Sequence, residues 1–140
     1  MVISISVFID SNVFVAFVNT RDAHHERARK IMQDILSARY GRAVTSDYVF
    51  DECMTATLMK TKDLESAVKL GRYMLDSEIG IMKLDGTMIR RAWKIFSEDN
   101  KERISFTDCT IRACMEMLGI EYVATFDQAF CNLKTMKIVC

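Results

Sequence analysis

Hydrophobic and polar positions change period repeatedly along the chain, and those changes mark its elements. ISVFI, residues 5–9, is a short apolar run rich in branched and aromatic side chains, which predicts a strand buried on both faces. It ends at Asp10. Ser11 and Asn12 can cap VFVAFV, a short buried helix, and residues 20–22 break the chain. From Ala23 to Tyr40, Ala28, Ile31, Ile35 and Leu36 recur at helical spacing among charged residues, as in an amphipathic helix closed by Gly41. RAVTS is a second strand, and Ser46 or Asp47 caps the helix through VFDECMTATLM.

The alternation continues through the second half. After a turn at residues 60–63, Leu64, Ala67, Val68, Gly71 and Leu75 share one face of a helix over 63–77, where Gly71 admits a close neighbour. IGIMKL is a third strand, ending at Asp85 before a helix that bears Ile89, Ala92, Trp93 and Phe96. SEDNKER, residues 97–103, is a charged loop. Ser105 or Thr107 then starts a helix that Gly119 ends after Leu118; EYVATF is a fourth strand and MKIVC a fifth. Strands alternating with helices predict an α/β fold with three layers, a central parallel sheet of four to five strands flanked by helices.

Composition narrows the reading. With 140 residues, half of them hydrophobic, the chain has the size of a single domain with one core, residues 1–140. Nineteen basic residues balance nineteen acidic ones, which excludes a uniformly basic nucleic-acid coat while leaving charge free to segregate by face. The apolar amino terminus lacks the basic flank and cleavage site of a signal peptide, and nothing approaches a membrane span, so a soluble, cytoplasmic protein is expected. Cys53, Cys109, Cys114, Cys131 and Cys140 are odd in number and show no C-x-x-C pairing; buried free thiols are expected. The absence of proline, with only five glycines, implies dense secondary structure and short connections.

The acids carry the candidate chemistry. Asp10 and Asp127 fall just beyond the carboxyl ends of strands one and four, where open α/β sheets bind ligands, and Glu52 and Asp108 lie in the first turns of helices. Taken singly, each has an ordinary structural role available, such as capping or complementing a helix dipole. A carboxylate directly after a buried strand is costly to desolvate, however, and four of them can meet at one sheet edge. On chemistry alone Asp51 could replace Glu52. The adjacent His24 and His25, near a helix start, are read as structural or surface residues rather than metal ligands.

The chain resembles the PIN-domain nucleases, and within them the VapC-type toxins of VapBC toxin–antitoxin pairs. The resemblance rests on Asp10-Ser11-Asn12 after the first strand, the helix bearing Asp51-Glu52, Ser105-Phe106-Thr107-Asp108, and Thr125-Phe126-Asp127 followed by Phe130. It implies Asp10, Glu52, Asp108 and Asp127 as catalytic, metal-binding acids, with Asn12 and Thr107 as polar support. Glu52 is preferred because the family places a glutamate there, and because Asp51 would point about 100° away around the helix. Magnesium or manganese is the implied cofactor, since hard divalent cations take carboxylates, water and phosphate. Asp10 and Asp108 would hold the principal ion, and Glu52 and Asp127 would act through water or hold a second. Hydrolysis of RNA phosphodiester bonds, leaving a 5′-phosphate and a 3′-hydroxyl, is the implied reaction.

Other classes fit less well. A haloacid-dehalogenase-like phosphatase wants an aspartate at position 12, which is Asn12, and a response-regulator receiver lacks its amino-terminal acidic pair. A housekeeping PIN-domain ribonuclease and a non-catalytic RNA-binding member are the alternatives within the family. Single-stranded or looped RNA is the expected substrate, with Arg21, Arg27, Arg29, Lys30, Lys60, Lys62, Arg90, Arg91, Lys101 and Arg103 available to phosphates. A toxin implies a small antitoxin that directs a basic side chain at the acids. Met54, Met59, Tyr73 and Met74 offer apolar surface for that partner or for a homodimer.

Overall fold

A computed structural model describes residues 6–131 and 136–140, the side chain of Cys131 excepted. Ile5 of the expected first strand and the Cys131 thiol lie outside the described residues. The elements run β1 (Ser6–Ile9), α1 (Ser11–Val18), α2 (His25–Leu36), β2 (Arg42–Ser46), α3 (Asp47–Thr61) and α4 (Leu64–Asp76), then β3 (Gly80–Met82), α5 (Gly86–Glu98), α6 (Phe106–Leu118), β4 (Tyr122–Ala124), α7 (Gln128–Cys131) and β5 (Lys137–Val139). The sheet has five strands, all parallel, in the order β3-β2-β1-β4-β5. Right-handed crossovers then put α1–α4 on one face and α5–α7 on the other. The packing agrees, because α1 contacts α2, α3 and α4 while α5 packs on α6.

The central strand explains its own composition. Val7, Phe8 and Ile9 are wholly buried between β2 and β4, in register with Ala43 and Val44 on one side and Tyr122 to Ala124 on the other. Phe14, Met32, Leu70, Met74 and Phe130 extend this core, and Ala92, Ile95, Ile104, Cys109 and Ala113 form a smaller one between α5 and α6. Burying each large side chain contributes about 1.5–3 kcal/mol, so the sheet's middle is firmly held. Gly71 faces α3 as expected: a Cβ there would lie 3.1 Å from Met54 Sδ. Among the described residues no helix is long and apolar enough to cross a membrane.

Several boundaries and faces differ from expectation. The helix expected over 23–40 is only His25–Leu36, because Asp22 Oδ1 accepts from His24 N at 2.8 Å before it and Ala38 takes φ 64° after it. The third strand stops at Met82, and Leu84 N donates to Asp47 Oδ1 at 3.2 Å instead of a neighbouring strand. The fourth stops at Ala124, and Phe126 N donates to Asn12 Oδ1 at 3.0 Å. On α4 the buried residues are Ala67, Leu70, Gly71 and Met74, leaving Leu64, Val68 and Leu75 exposed. On α5 they are Met88, Ala92 and Ile95, leaving Trp93 and Phe96 exposed; Leu36 on α2 is exposed too. Met74 is core and Met59 surface. Cys53, Cys109 and Cys114 are buried free thiols, whereas Cys140 is exposed.

Candidate active site

The chain leaves β1 in one direction to build β2 and β3 and returns to its other side to build β4, so the crevice between β1 and β4 is the switch point of the sheet. Asp10 occupies it. Its N–H donates to Ala124 O at 3.0 Å, continuing the ladder, and its Oδ1 accepts from Ser11 N at 2.7 Å, which makes Asp10, rather than Ser11 or Asn12, the cap of α1. Its Oδ2 accepts from Thr125 Oγ1 at 2.9 Å and more weakly from Asn12 Nδ2 at 3.4 Å. Thr125 Oγ1 also accepts from Asn12 Nδ2 at 3.1 Å and from Asp127 N at 3.0 Å. One hydroxyl therefore ties the ends of β1 and β4 together.

The other acids arrive from three further segments. Ser46 caps α3 through Val49 N at 3.1 Å, and α3 then carries Glu52 to the site, where Ser11 Oγ donates to Glu52 Oε1. Asp51 is exposed, lining with Glu52, Tyr48 and Thr107 an open cleft of about 720 Å³. Ser105 caps α6: its Oγ accepts from Asp108 N at 3.1 Å, while Asp108 Oδ2 accepts from Ser105 N at 3.4 Å. This capping box fixes Asp108 with one oxygen left for other work. Asp127 opens α7, its Oδ1 accepting from Ala129 N at 2.9 Å.

Electrostatics shows that these acids feel one another. Burial, then the charge of Asp108, pushes Asp10 up to about 7 against the hydrogen bonds from Thr125 and Ser11, and Glu52 adds to the rise. Burial, then Asp127, pushes Asp108 up to about 6 against its bonds to Ser105, with Glu52 again adding. Asp108 thus stands in the field of all three other acids. Beneath them Cys53 is wholly buried, and burial with the charges of Asp10 and Glu52 drives its thiol well above the usual range, so it stays protonated and unreactive.

The donor set suits a hard divalent cation. It consists of carboxylate and hydroxyl oxygens, and among the described residues no lysine or arginine forms an ion pair with Asp10, Glu52 or Asp108. Buried carboxylates without a protein cation need positive charge from outside. Among the described residues no three acid, histidine or cysteine side chains close into a ready-made metal cage. An open set of that kind matches magnesium, which keeps several waters and takes one or two carboxylates plus phosphate.

Comparison with known proteins decides the family. The family profile described as PIN domain matches residues 7–135, which spans β1 to the approach of β5. The chain belongs to the PIN-domain family. This PIN domain is 25% identical over 126 residues to a VapC ribonuclease of Archaeoglobus fulgidus, covering 89% of this chain and 79% of that protein. It is 24% identical to the 23S rRNA-specific endonuclease VapC20 of Mycobacterium tuberculosis, covering 89% and 91% of the two chains. The crystal structure of that VapC20, described as a Sarcin-Ricin loop cleaving toxin, superposes with a TM-score of 0.83 at 22% identity, covering 96% and 99%. VapBC2 from Rickettsia felis, solved with a DNA fragment from its promoter, gives a TM-score of 0.69 at 14% identity, covering 96% and 97%. Those two superpositions establish a shared fold.

Two residues of this PIN-domain site escape a reading of the sequence for charge. Ser11 links Glu52 to Asp10, and Thr125 is the hydroxyl that holds Asp10, Asn12 and Asp127. Thr107 lines the cleft beside Glu52, where its carbonyl accepts from Thr110 Oγ1 at 2.5 Å. His25 is structural, its Nδ1 lying 2.8 Å from Ala16 O.

Proposed function

We propose that the chain, as a single domain over residues 1–140, is a divalent-metal-dependent endoribonuclease of VapC type. It hydrolyses RNA phosphodiester bonds and serves as the toxin of a toxin–antitoxin pair. The observation that carries this reading is the gathering of Asp10, Glu52, Asp108 and Asp127 at the β1/β4 crevice, with no ion pair to Asp10, Glu52 or Asp108 among the described residues, together with the names of the curated relatives. Asp10 and Asp108 are the ligands proposed for magnesium or manganese, and Glu52 and Asp127 the acids that complete the site. A bound ion supplies Lewis acidity toward the phosphoryl oxygen and lowers the pKa of the attacking water. The chain's own part is to hold the oxygens: Thr125 and Asn12 fix Asp10, Ser11 orients Glu52, and the capping box orients Asp108.

The substrate follows from access. An open cleft beside the acids admits an exposed backbone, so single-stranded or looped RNA is the proposed target. The exposed Leu58, Met59 and Leu64 at the α3–α4 turn support a protein partner, a small antitoxin or a second copy. The test is RNA cleavage by purified protein in magnesium and in EDTA, alongside Asp108→Asn. Cleavage that survives EDTA or the substitution would overturn the metal site. Overexpression should arrest growth unless the antitoxin is co-expressed; active protein that leaves growth unchanged would mark a housekeeping ribonuclease instead.

A further inference from the structure

We infer that His24 and Phe126, with Arg27 beside them, form a stacking subsite for one nucleobase of the RNA. This inference rests on the ribonuclease reading and adds where the substrate is gripped. The His24 and Phe126 rings stack with centroids 4.5 Å apart and planes 14° from parallel. Arg27 Cζ lies 5.5 Å from the Phe126 centroid. Phe126 sits between Thr125, which bonds Asp10, and Asp127, and its N–H is clamped by Asn12 Oδ1 at 3.0 Å. The backbone that carries the ring is therefore held between the residues that flank Asp10 and Asp127.

Packing alone does not account for His24. It occupies the cap position of α2 yet makes no side-chain capping bond, forgoing the stabilisation a serine or aspartate would give there. Phe126 is partly buried against the core, while His24 is exposed, so the imidazole covers the phenyl ring with one face and presents the other to solvent. An exposed ring beside a guanidinium matches how single-stranded nucleic acids are held: a base stacks on the ring, and the cation meets the neighbouring phosphate. Such a grip places the adjoining phosphodiester over the acids. It tolerates any base, because every base has a stacking face.

The test uses a randomised pool of short oligoribonucleotides, both single-stranded and hairpin-looped, cleaved in magnesium, from which one cut sequence is resynthesised with an abasic site at each unpaired position in turn. For wild type, one abasic position should lower kcat/KM by roughly 5- to 150-fold, the size of a single base–aromatic stack. In His24→Ala that position should have no further effect, because the two changes remove the same contact. His24→Tyr should restore both the rate and the sensitivity, whereas His24→Gln should not. That pair of variants keeps the test decisive even if His24→Ala melts lower. Equal abasic penalties in wild type and His24→Ala, or unchanged kcat/KM in His24→Ala, would overturn the subsite while leaving the nuclease intact. Wild type that cuts no member of the pool in magnesium would overturn the ribonuclease reading, and the subsite with it.

Discussion

Replacing Asp108 by asparagine should stabilise the metal-free protein, and the effect should depend on pH in a way set by the site's own charges. Asp108 is raised from an ordinary 3.8 to about 6, first by burial and then by Asp127. At about 1.4 kcal/mol per pH unit, keeping it ionised in the fold costs roughly 3 kcal/mol, an upper bound because a buried amide is also desolvated. The sign follows from proton counts. Between about pH 4 and pH 6 the folded state holds a proton that the unfolded state has released, so the penalty is absent below that window, grows through it and is constant above it. Neutralising Asp108 also removes the charge that, after burial, does most to raise Asp10, itself pushed to about 7. In EDTA at pH 8, Asp108→Asn should therefore melt higher than wild type by several degrees, on the order of 2–8 °C per kcal/mol recovered. At pH 4.5 the two should melt nearly together. Magnesium should raise the wild-type Tm more than the mutant's, since ligand stabilises only the state that binds it. Thermal denaturation at the two pH values, with and without magnesium, measures all of this. A mutant that melts at or below wild type at pH 8, or a difference that ignores pH, would show that the four acids do not share a field.

Three further outcomes can be checked with the same protein. Thr125→Val removes the hydroxyl that serves Asp10, Asn12 and Asp127, and should lower magnesium-dependent cleavage by about 10- to 100-fold, the usual cost of losing a ligand's support. Glu52→Gln should abolish most cleavage while Asp51→Asn, on the exposed flank, leaves it nearly unchanged; equal damage in parallel cleavage assays would reverse that assignment. Ser105→Ala should lower stability by about 1 kcal/mol in urea melts through loss of the α6 cap, and should weaken magnesium binding by releasing Asp108.

Much of the architecture was legible because the strands are short apolar runs ending at acids or caps, and those punctuation marks depend on local chemistry. Asp10 and Ser46 each stand where a strand ends and a helix begins, and Asp85 and Ser105 cap the helices that follow them. The faces of α4 and α5 were less legible, because their apolar residues outnumber the positions one face can bury. On α4, Leu64-Val68-Leu75 and Ala67-Leu70-Met74 both keep helical spacing, and only the approach of α3 selects the second. Ser11 and Thr125 were hidden for another reason. A neutral hydroxyl carries no signal of its own, and its role exists only once β1 and β4 pair. The single turn α7 is too short for periodicity to announce.

The strand order also bears on when the four acids can come together. Asp10 directly follows β1 and Asp127 lies in the segment after β4, yet the two are joined through Thr125 across the sheet's middle. A chain whose synthesis has reached only α3 carries Asp10 and Glu52 without Asp108 or Asp127, because α6 and the segment after β4 come later in the sequence. Long-range parallel pairing is among the slower events in folding, which lengthens that interval. The topology therefore delays assembly of the four-acid edge until nearly the whole domain has been made, and a truncated product ending before α6 lacks both Asp108 and Asp127.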